Sequence, residues 1–160
     1  MESMPLNPAA EVDEQGFAVR RTIRIDAPLT TVWRAVTEPA LVSRWFAETV
    51  LVDRSPGGTG SMTFGDEPPI PFRLEESDPP HRVSYRWNND GSRGAVPAQL
   101  SEATSTVFTF TLAAEGDGTR LTVVETGFAV AADPIAEAHH HADGWTRQLD
   151  KLVAFAESAA

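Results

Sequence analysis

The chain of 160 residues contains no cysteine. Disulfide bonds, thiolate nucleophiles and cysteine-based metal sites are therefore excluded, and the absence fits a reducing compartment. No apolar run approaches the ~20 residues that a transmembrane helix needs, and the N-terminus lacks the basic and then apolar segments of a signal peptide. We expect a cytoplasmic protein that does not insert into a membrane.

Basic residues are also scarce. Thirteen Lys and Arg stand against 23 Asp and Glu, which gives a formal net charge of -10. Such a surface repels phosphate backbones, so nucleic acid is not an expected partner. The length fits one domain that buries about 70% of the area its unfolded chain exposes.

The stretch from Asp133 to Glu157 predicts one long C-terminal helix. Asp133 can cap its N-terminus, Pro134 suits the first helical position, and no proline follows. Apolar or half-apolar residues recur at helical spacing and form one stripe: Ala138, His141, Trp145, Leu149, Leu152 and Ala156. Gly144 lies inside this helix, where it costs about 1 kcal/mol against Ala, and indicates close approach of a strand or room beside Trp145.

The rest of the chain predicts an antiparallel sheet of seven strands. Period-two alternation and turn residues place the strands at 17–26, 49–53, 60–64, 70–77, 82–88, 104–113 and 120–128. Two short helices are expected between the first two strands, and 89–103 is a long polar connection. Residues 1–16 indicate a disordered acidic tail, which leaves 17–158 as a single domain of the α+β class.

Several motifs resemble a known family when taken in order. Ile25-Asp26-Ala27-Pro28, Val32-Trp33-Arg34-Ala35, Thr37-Glu38-Pro39 and Trp45-Phe46 come first, followed by 118–122, 125–128 and Gly144-Trp145. They resemble the START-like (SRPBCC) superfamily and, within it, the activator of heat-shock protein 90 ATPase homologue family. The resemblance covers about residues 18 to 157.

The resemblance implies a helix-grip fold, in which a seven-stranded antiparallel sheet wraps around the C-terminal helix and leaves a deep cavity between them. The superfamily includes lipid carriers, hormone-binding proteins and polyketide cyclases, so the fold does not decide the function.

Strand alternation directs many aromatic and apolar side chains toward the long helix. As a ligand-binding set we predict Trp45, Met62, Phe64, Phe72, Leu74, Tyr85, Trp87, Phe108, Phe110, Glu125, His141, Trp145 and Leu149. The alternative is that these residues fill an ordinary core. An empty space of roughly 300 Å³ would cost several kcal/mol, which favours either a bound ligand or a collapsed site.

Glu125 is the main polar candidate. Period-two geometry places it on the inward face with Leu121 and Val123, where burial raises the pKa of a carboxylate unless a cation pairs with it. Arg21, in register with Ile23 on the first strand, is one candidate for that cation. The functional interpretation is ligand anchoring or acid–base catalysis, and the alternative is a buried structural ion pair.

Three consecutive histidines, His139 to His141, invite a metal interpretation. They point about 100° apart on a helix and cannot converge on one ion, although Glu137 with His141 and His139 with Asp143 have i, i+4 spacing. We therefore predict no metal and no cofactor.

Three hypotheses follow. The first is a non-enzymatic domain that binds a small hydrophobic molecule, such as a lipid, a polyketide or an aromatic metabolite. The second is a cyclase- or lyase-type cavity enzyme in which Glu125, with Tyr85 or His141, acts as acid and base. The third is a chaperone-associated or homodimeric interaction module, which requires an exposed apolar patch.

Overall fold

The computed structural model describes residues 7–89 and 99–159. Its three α-helices are α1 (Leu29–Thr37), α2 (Pro39–Trp45) and α3 (Pro134–Ala159). Its strands are β1 (Glu11–Asp13), β2 (Ala18–Ile25), β3 (Glu48–Leu51), β4 (Thr59–Thr63), β5 (Ile70–Asp78), β6 (Arg82–Trp87), β7 (Thr106–Glu115) and β8 (Gly118–Thr126). The α+β class is confirmed, and so are the two short helices that follow β2.

The strands form one antiparallel sheet with the order β1-β2-β8-β7-β6-β5-β4-β3. The sheet has eight strands where the sequence predicts seven. The additional strand, β1, lies in the segment predicted as a disordered tail and pairs with β2, for example Val12 with Val19. The tail prediction is therefore wrong for this segment, whereas residues 1–6 lie outside the described part of the chain.

Two further contacts explain why the N-terminal segment is ordered. The backbone N–H of Ala10 donates to the hydroxyl of Thr146 in α3 at 2.9 Å, and the Arg21 guanidinium donates to the carbonyl of Pro8 at 2.6 Å. Val12 packs against the core with its partly buried side chain. These contacts join residues that are distant in sequence, so local composition could not reveal them.

The long helix forms as predicted. The side chain of Asp133 accepts a hydrogen bond from the N–H of Ala136 at 3.3 Å and caps the first turn. Every residue of the predicted apolar stripe is buried, from Ala138 to Ala156. No helix in the described part of the chain is long and apolar enough to cross a membrane.

The two short helices cover one end of the space between the sheet and α3. Both pack against α3, and Val32, Val36 and Trp45 are buried. The carbonyls of α1 also accept hydrogen bonds from two core side chains, since Trp45 Nε1 donates to Ala35 and the Tyr85 hydroxyl donates to Val36, both at 2.8 Å. This end of the sheet is therefore closed by protein side chains.

The long polar connection is described only in part. Residues 90–98 lie outside the described part of the chain. The described remainder contains a 3₁₀ turn, Glu102–Thr104, and the side chain of Asn88 donates to the hydroxyl of Thr104 at 3.0 Å.

Candidate functional site

A cavity of about 720 Å³ opens beside the N-terminal half of α3. Its apolar wall comes from the end of α2, the β4–β5 region, β6 and α3: Phe46, Phe64, Pro68, Ile70, Trp87 and Trp145. Its polar lining consists of Glu67, Asn89, Glu137, His140, His141, Arg147 and Gln148. Since Glu67, Pro68, His140 and Arg147 are exposed, the cavity opens to solvent along this rim.

Four aromatic side chains form the inner wall. Phe46 stacks on Trp145 with ring centroids 5.4 Å apart, and Trp87 stacks on Trp145 at 6.2 Å. Phe64 meets Phe46 edge to face at 5.1 Å. The offset and edge-to-face arrangements are those that aromatic pairs favour, so the wall is held in a defined shape.

The polar edges of these rings are fixed by Glu125. Trp87 Nε1 and Thr106 Oγ1 donate to one carboxylate oxygen at 2.8 and 2.6 Å, while Trp145 Nε1 and His141 Nδ1 are hydrogen-bonded to the other at 2.8 and 2.9 Å. A carboxylate offers about four acceptor positions, and all four are used here. Glu125 is 0% exposed, and its indole partners stand between it and the cavity.

His141 is a buried imidazolium. Its Nδ1 faces Glu125, and its Nε2 lies 2.9 Å from the carbonyl of Asn89 and 3.2 Å from a carboxylate oxygen of Glu137. All three neighbours can only accept, so both ring nitrogens carry a proton. His141 therefore balances the charge of Glu125 and ties it to Glu137 at the cavity surface.

The pKa values follow from this pairing. Burial would lower the pKa of His141, but the charge of Glu125 and the hydrogen bonds to Glu125 and Glu137 raise it to about 10. Burial would raise the pKa of Glu125, but the charge of His141 and the hydrogen bonds from His141, Thr106 and Trp87 lower it. The sequence predicts a raised pKa for Glu125 only in the absence of a paired cation, and the structure supplies that cation in His141.

That cation is not the candidate that the sequence suggests. Arg21 turns away from Glu125 and forms a 2.7 Å ion pair with Asp150, and it also donates to the carbonyls of Trp145 and Thr146. Arg21 does lie on the inward face, opposite Val123. The carbonyls of α3 satisfy its guanidinium, whereas the imidazole of His141 lies directly over Glu125.

Gly144 lines the cavity between Glu137 and Gln148. A Cβ built on this residue would meet no atom within 4 Å. No strand approaches it, so the second of the two predicted explanations, room beside Trp145, describes the structure. The missing side chain leaves the helix backbone bare at the cavity surface.

The structure divides the predicted ligand-binding set. Four of its members line the cavity: Phe64, Trp87, His141 and Trp145. Nine do not: Trp45, Met62, Phe72, Leu74, Tyr85, Phe108, Phe110, Glu125 and Leu149. Glu125 lies directly behind the cavity wall, where it accepts hydrogen bonds from Trp87 and Trp145. The other eight fill the closed part of the core, because α1 and α2 cover that end of the sheet and carbonyls of α1 accept hydrogen bonds from Trp45 and Tyr85.

The cavity also contains residues that strand alternation could not reveal. Glu67 and Pro68 lie in the loop between β4 and β5, and Phe46 follows α2 directly. Glu137, Gly144 and Gln148 share one side of α3 at i, i+7 and i+11, a spacing that could have identified them as a second, more polar stripe.

The two acid–imidazole pairs with i, i+4 spacing differ in the structure. Glu137 and His141 are in contact, whereas His139 lies 3.3 Å from Glu14 instead of pairing with Asp143. In residues 7–89 and 99–159, no group of three or more His, Asp or Glu side chains is placed to hold a metal ion.

Comparisons with known proteins agree with this architecture. The profile of the family described as Activator of Hsp90 ATPase homolog 1-like protein matches residues 26–157. A search of curated proteins finds no match.

Many solved structures share the fold. CalU16 from Micromonospora echinospora is 24% identical, with 87% of this chain and 75% of that chain covered and a TM-score of 0.66. A protein from Mesorhizobium loti is 23% identical, with 89% and 98% covered and a TM-score of 0.74. DynU16, described as a putative protein in the dynemicin biosynthetic locus, is 25% identical over 89% of this chain but only 48% of its own, with a TM-score of 0.72.

Proposed function

The chain belongs to the family of Activator of Hsp90 ATPase homolog 1-like proteins, and from that premise we propose that it binds a small hydrophobic molecule in the cavity beside α3. The ligand would be a lipid, a polyketide or an aromatic metabolite. The observation that carries the proposal is a cavity of about 720 Å³ with an aromatic wall. Pockets of about 300–1,000 Å³ with apolar walls and a few placed polar groups are typical of small-molecule sites.

The Glu125 network supports binding more than catalysis. Because both indole N–H groups are bound to Glu125, the rings of Trp87 and Trp145 have no free donor to offer water. Their remaining surface is apolar, and covering it with a ligand is favourable. The shape of the wall exists before the ligand arrives, which lowers the entropic cost of binding.

The context of one similar structure points in the same direction. DynU16 is described as a putative protein in the dynemicin biosynthetic locus. A locus described as biosynthetic supports a small-molecule ligand for this chain.

The test is native mass spectrometry of the purified protein with lipid, polyketide and aromatic libraries, followed by tryptophan fluorescence titration of each hit. Trp87 and Trp145 contact the cavity, so a bound ligand is expected to change the emission. Gly144→Leu places a side chain in the cavity and should abolish binding. Ala154→Leu adds the same side chain on the exposed side of α3 and should leave binding unchanged.

Two results would overturn the proposal. One is the absence of uptake from all three libraries by the folded wild-type protein. The other is an unchanged affinity in Gly144→Leu at unchanged secondary structure, which would place the ligand outside the cavity.

A cyclase- or lyase-type enzyme is the second candidate, and the observation that favours it is the position of Glu137. Its carboxylate borders the cavity and is held by His141, whereas Glu125 is enclosed and saturated. If this candidate is correct, bound compounds are converted over time, and Glu137→Gln slows conversion more than it weakens binding. Unchanged compounds after long incubation with the wild-type protein would remove it.

A homodimer is a separate proposal. β3 is an edge strand, Val50 within it is 57% exposed, and Val52 directly after it is 90% exposed. One solved structure with the same fold is described as the Aha1 dimer from Colwellia psychrerythraea, at 17% identity over 88% of this chain and 96% of that chain, with a TM-score of 0.67. Light scattering should give a dimeric mass that Val52→Lys reduces, and a monomeric mass for the wild type would contradict it.

A further inference from the structure

Polar groups at the two ends of the cavity differ in whether another group of the protein forms a hydrogen bond with them. At one end, His141 is hydrogen-bonded to the carboxylate of Glu137 and the carbonyl of Asn89. At the other end lies Gln148. Its side-chain oxygen, Oε1, is buried and accepts no hydrogen bond from any residue of the described part of the chain.

An unpaired buried acceptor is rare and unfavourable in a folded protein, so each instance calls for an explanation. Oε1 of Gln148 is the only such side-chain atom in the described ranges 7–89 and 99–159, and Gln148, which is partly exposed, lines the cavity described above. This coincidence indicates that the missing partner comes from outside the protein.

The position of Gln148 on α3 defines where that partner lies. Gln148 follows Gly144 by one turn and Glu137 by three turns, about 6 and 16 Å along the helix axis. All three residues line the cavity. A molecule that reaches Gln148 therefore passes over the bare backbone of Gly144.

We propose that the ligand is a flat, mostly apolar molecule that carries an O–H or N–H group, such as a phenol, an alcohol or an amide, and donates it to Gln148 Oε1. This inference rests on the proposed function and names the chemical class that the same cavity accepts. The flat body lies over Gly144 and against the rings of Phe46, Trp87 and Trp145. A ligand with only acceptors at this position leaves Oε1 of Gln148 unpaired.

The experiment compares two probes of similar size that differ in one donor, 2-naphthol and 2-methoxynaphthalene. Their affinities for the wild-type protein are measured by fluorescence titration at pH 7. We expect 2-naphthol to bind about tenfold more tightly, the range of one well-placed hydrogen bond in a buried site.

Two variants test the role of Gln148. Gln148→Met keeps a similar side-chain length without the acceptor, and it should abolish the preference while 2-methoxynaphthalene binds at least as well as before. Gln148→Glu keeps an acceptor and should preserve the preference. Because both probes report on the same variant, a general change in cavity shape does not imitate this result.

The ligand-free protein gives an independent measurement. Since Gln148→Met removes an unpaired buried acceptor, its Tm should rise by about 2–4 °C relative to the wild type. A fall in Tm would show that Gln148 is already satisfied and would overturn the inference.

The remaining outcomes separate this inference from the proposed function. Equal affinities of the two probes for the wild type, or a preference that persists in Gln148→Met, would overturn the role of Gln148 and leave ligand binding standing. If the wild type bound neither probe, the flat aromatic class would be wrong, and the library experiment would judge the proposed function.

Discussion

The space between α3 and the sheet has two halves with opposite character. In the closed half, Phe72, Tyr85, Phe108, Phe110 and Leu149 all belong to the buried core cluster. In the open half, the same sheet and the same helix enclose about 720 Å³. Strand alternation is the same in both halves, so it does not decide which half is filled.

Two features account for the difference. α1 and α2 cover the closed half, and the helix contributes leucine there, whereas it contributes Gly144 and Gln148 to the open half. The second feature is Glu125, which holds Trp87 and Trp145 at the boundary. In this protein α1, α2 and Gly144 therefore determine where the cavity lies, while the strands supply a similar inner face throughout.

Paired truncations of phenylalanine test the comparison most strongly. Phe108→Ala, in the closed half, should lower the free energy of unfolding by about 3–5 kcal/mol because it leaves a cavity that neighbours cannot fill. Phe64→Ala, at the open cavity, should cost only about 1 kcal/mol because water already reaches the site. Urea denaturation followed by circular dichroism measures both, and equal losses would show that the halves do not differ.

Glu125→Gln tests the boundary between the closed half and the open half. The neutral amide cannot accept from four donors and leaves Glu137 as the only carboxylate in contact with the imidazolium of His141, so stability should fall by about 3 kcal/mol. Glu137→Gln removes a carboxylate on the cavity side of the same histidine and serves as the matched control, with a smaller loss. Similar losses in the two variants would contradict the central role assigned to Glu125.

The pH dependence of stability follows from the same pair. The pKa of His141 is raised from 6.5 to about 10 on folding, so its contribution is fully present below pH 6.5 and is lost as the pH rises toward 10. Across this window stability should fall by about 1 kcal/mol per pH unit. The pKa of Glu125 is lowered, so its contribution is present above pH 4.5 and is lost in acid.

Denaturation between pH 6 and 10 measures this slope, and NMR of the imidazole resonances assigns it. His140→Gln, which changes the exposed neighbouring histidine, should retain the slope. Imidazole signals of a neutral His141 at pH 8 would contradict the prediction.

The smallest expected effect is at Gly144. Gly144→Ala should raise stability by about 1 kcal/mol, since alanine favours a helix and its Cβ meets no neighbour. Ala154→Gly, on the exposed side of the same helix, is the reverse control and should lower stability by a similar amount. A destabilised Gly144→Ala would reveal a close contact at this position.

Much of the fold could be predicted from local patterns. Asp133 and Pro134 define the start of α3, and the buried stripe from Ala138 to Ala156 matches its helical spacing. β1 could not be predicted, because Glu11, Val12 and Asp13 have one apolar residue among them. These three residues form a strand because they pair with β2 and contact α3. Such contacts between distant parts of the chain are not encoded in the local sequence.

The site was predictable only in part, because Phe64, Trp87, His141 and Trp145 of the predicted set line the cavity and the other predicted residues do not. Period-two spacing correctly placed Glu125 and Arg21 on the inward face, yet it could not tell that Arg21 would turn to the carbonyls of α3 and His141 to the carboxylate. Likewise, nothing in the strand of Tyr85 reveals that its hydroxyl bonds to Val36 in α1. Such choices depend on how elements pack in three dimensions.

The guanidinium of Arg21 has one more consequence. It bridges the carbonyl of Pro8 to the helix carbonyls of Trp145 and Thr146, so the segment just before β1 is attached to the turn of α3 that carries Trp145, a residue of the aromatic wall. A fusion partner or a cleavage site placed before β1 would therefore act at a distance on the pocket, and the integrity of the N-terminus becomes a condition for any binding measurement on this protein.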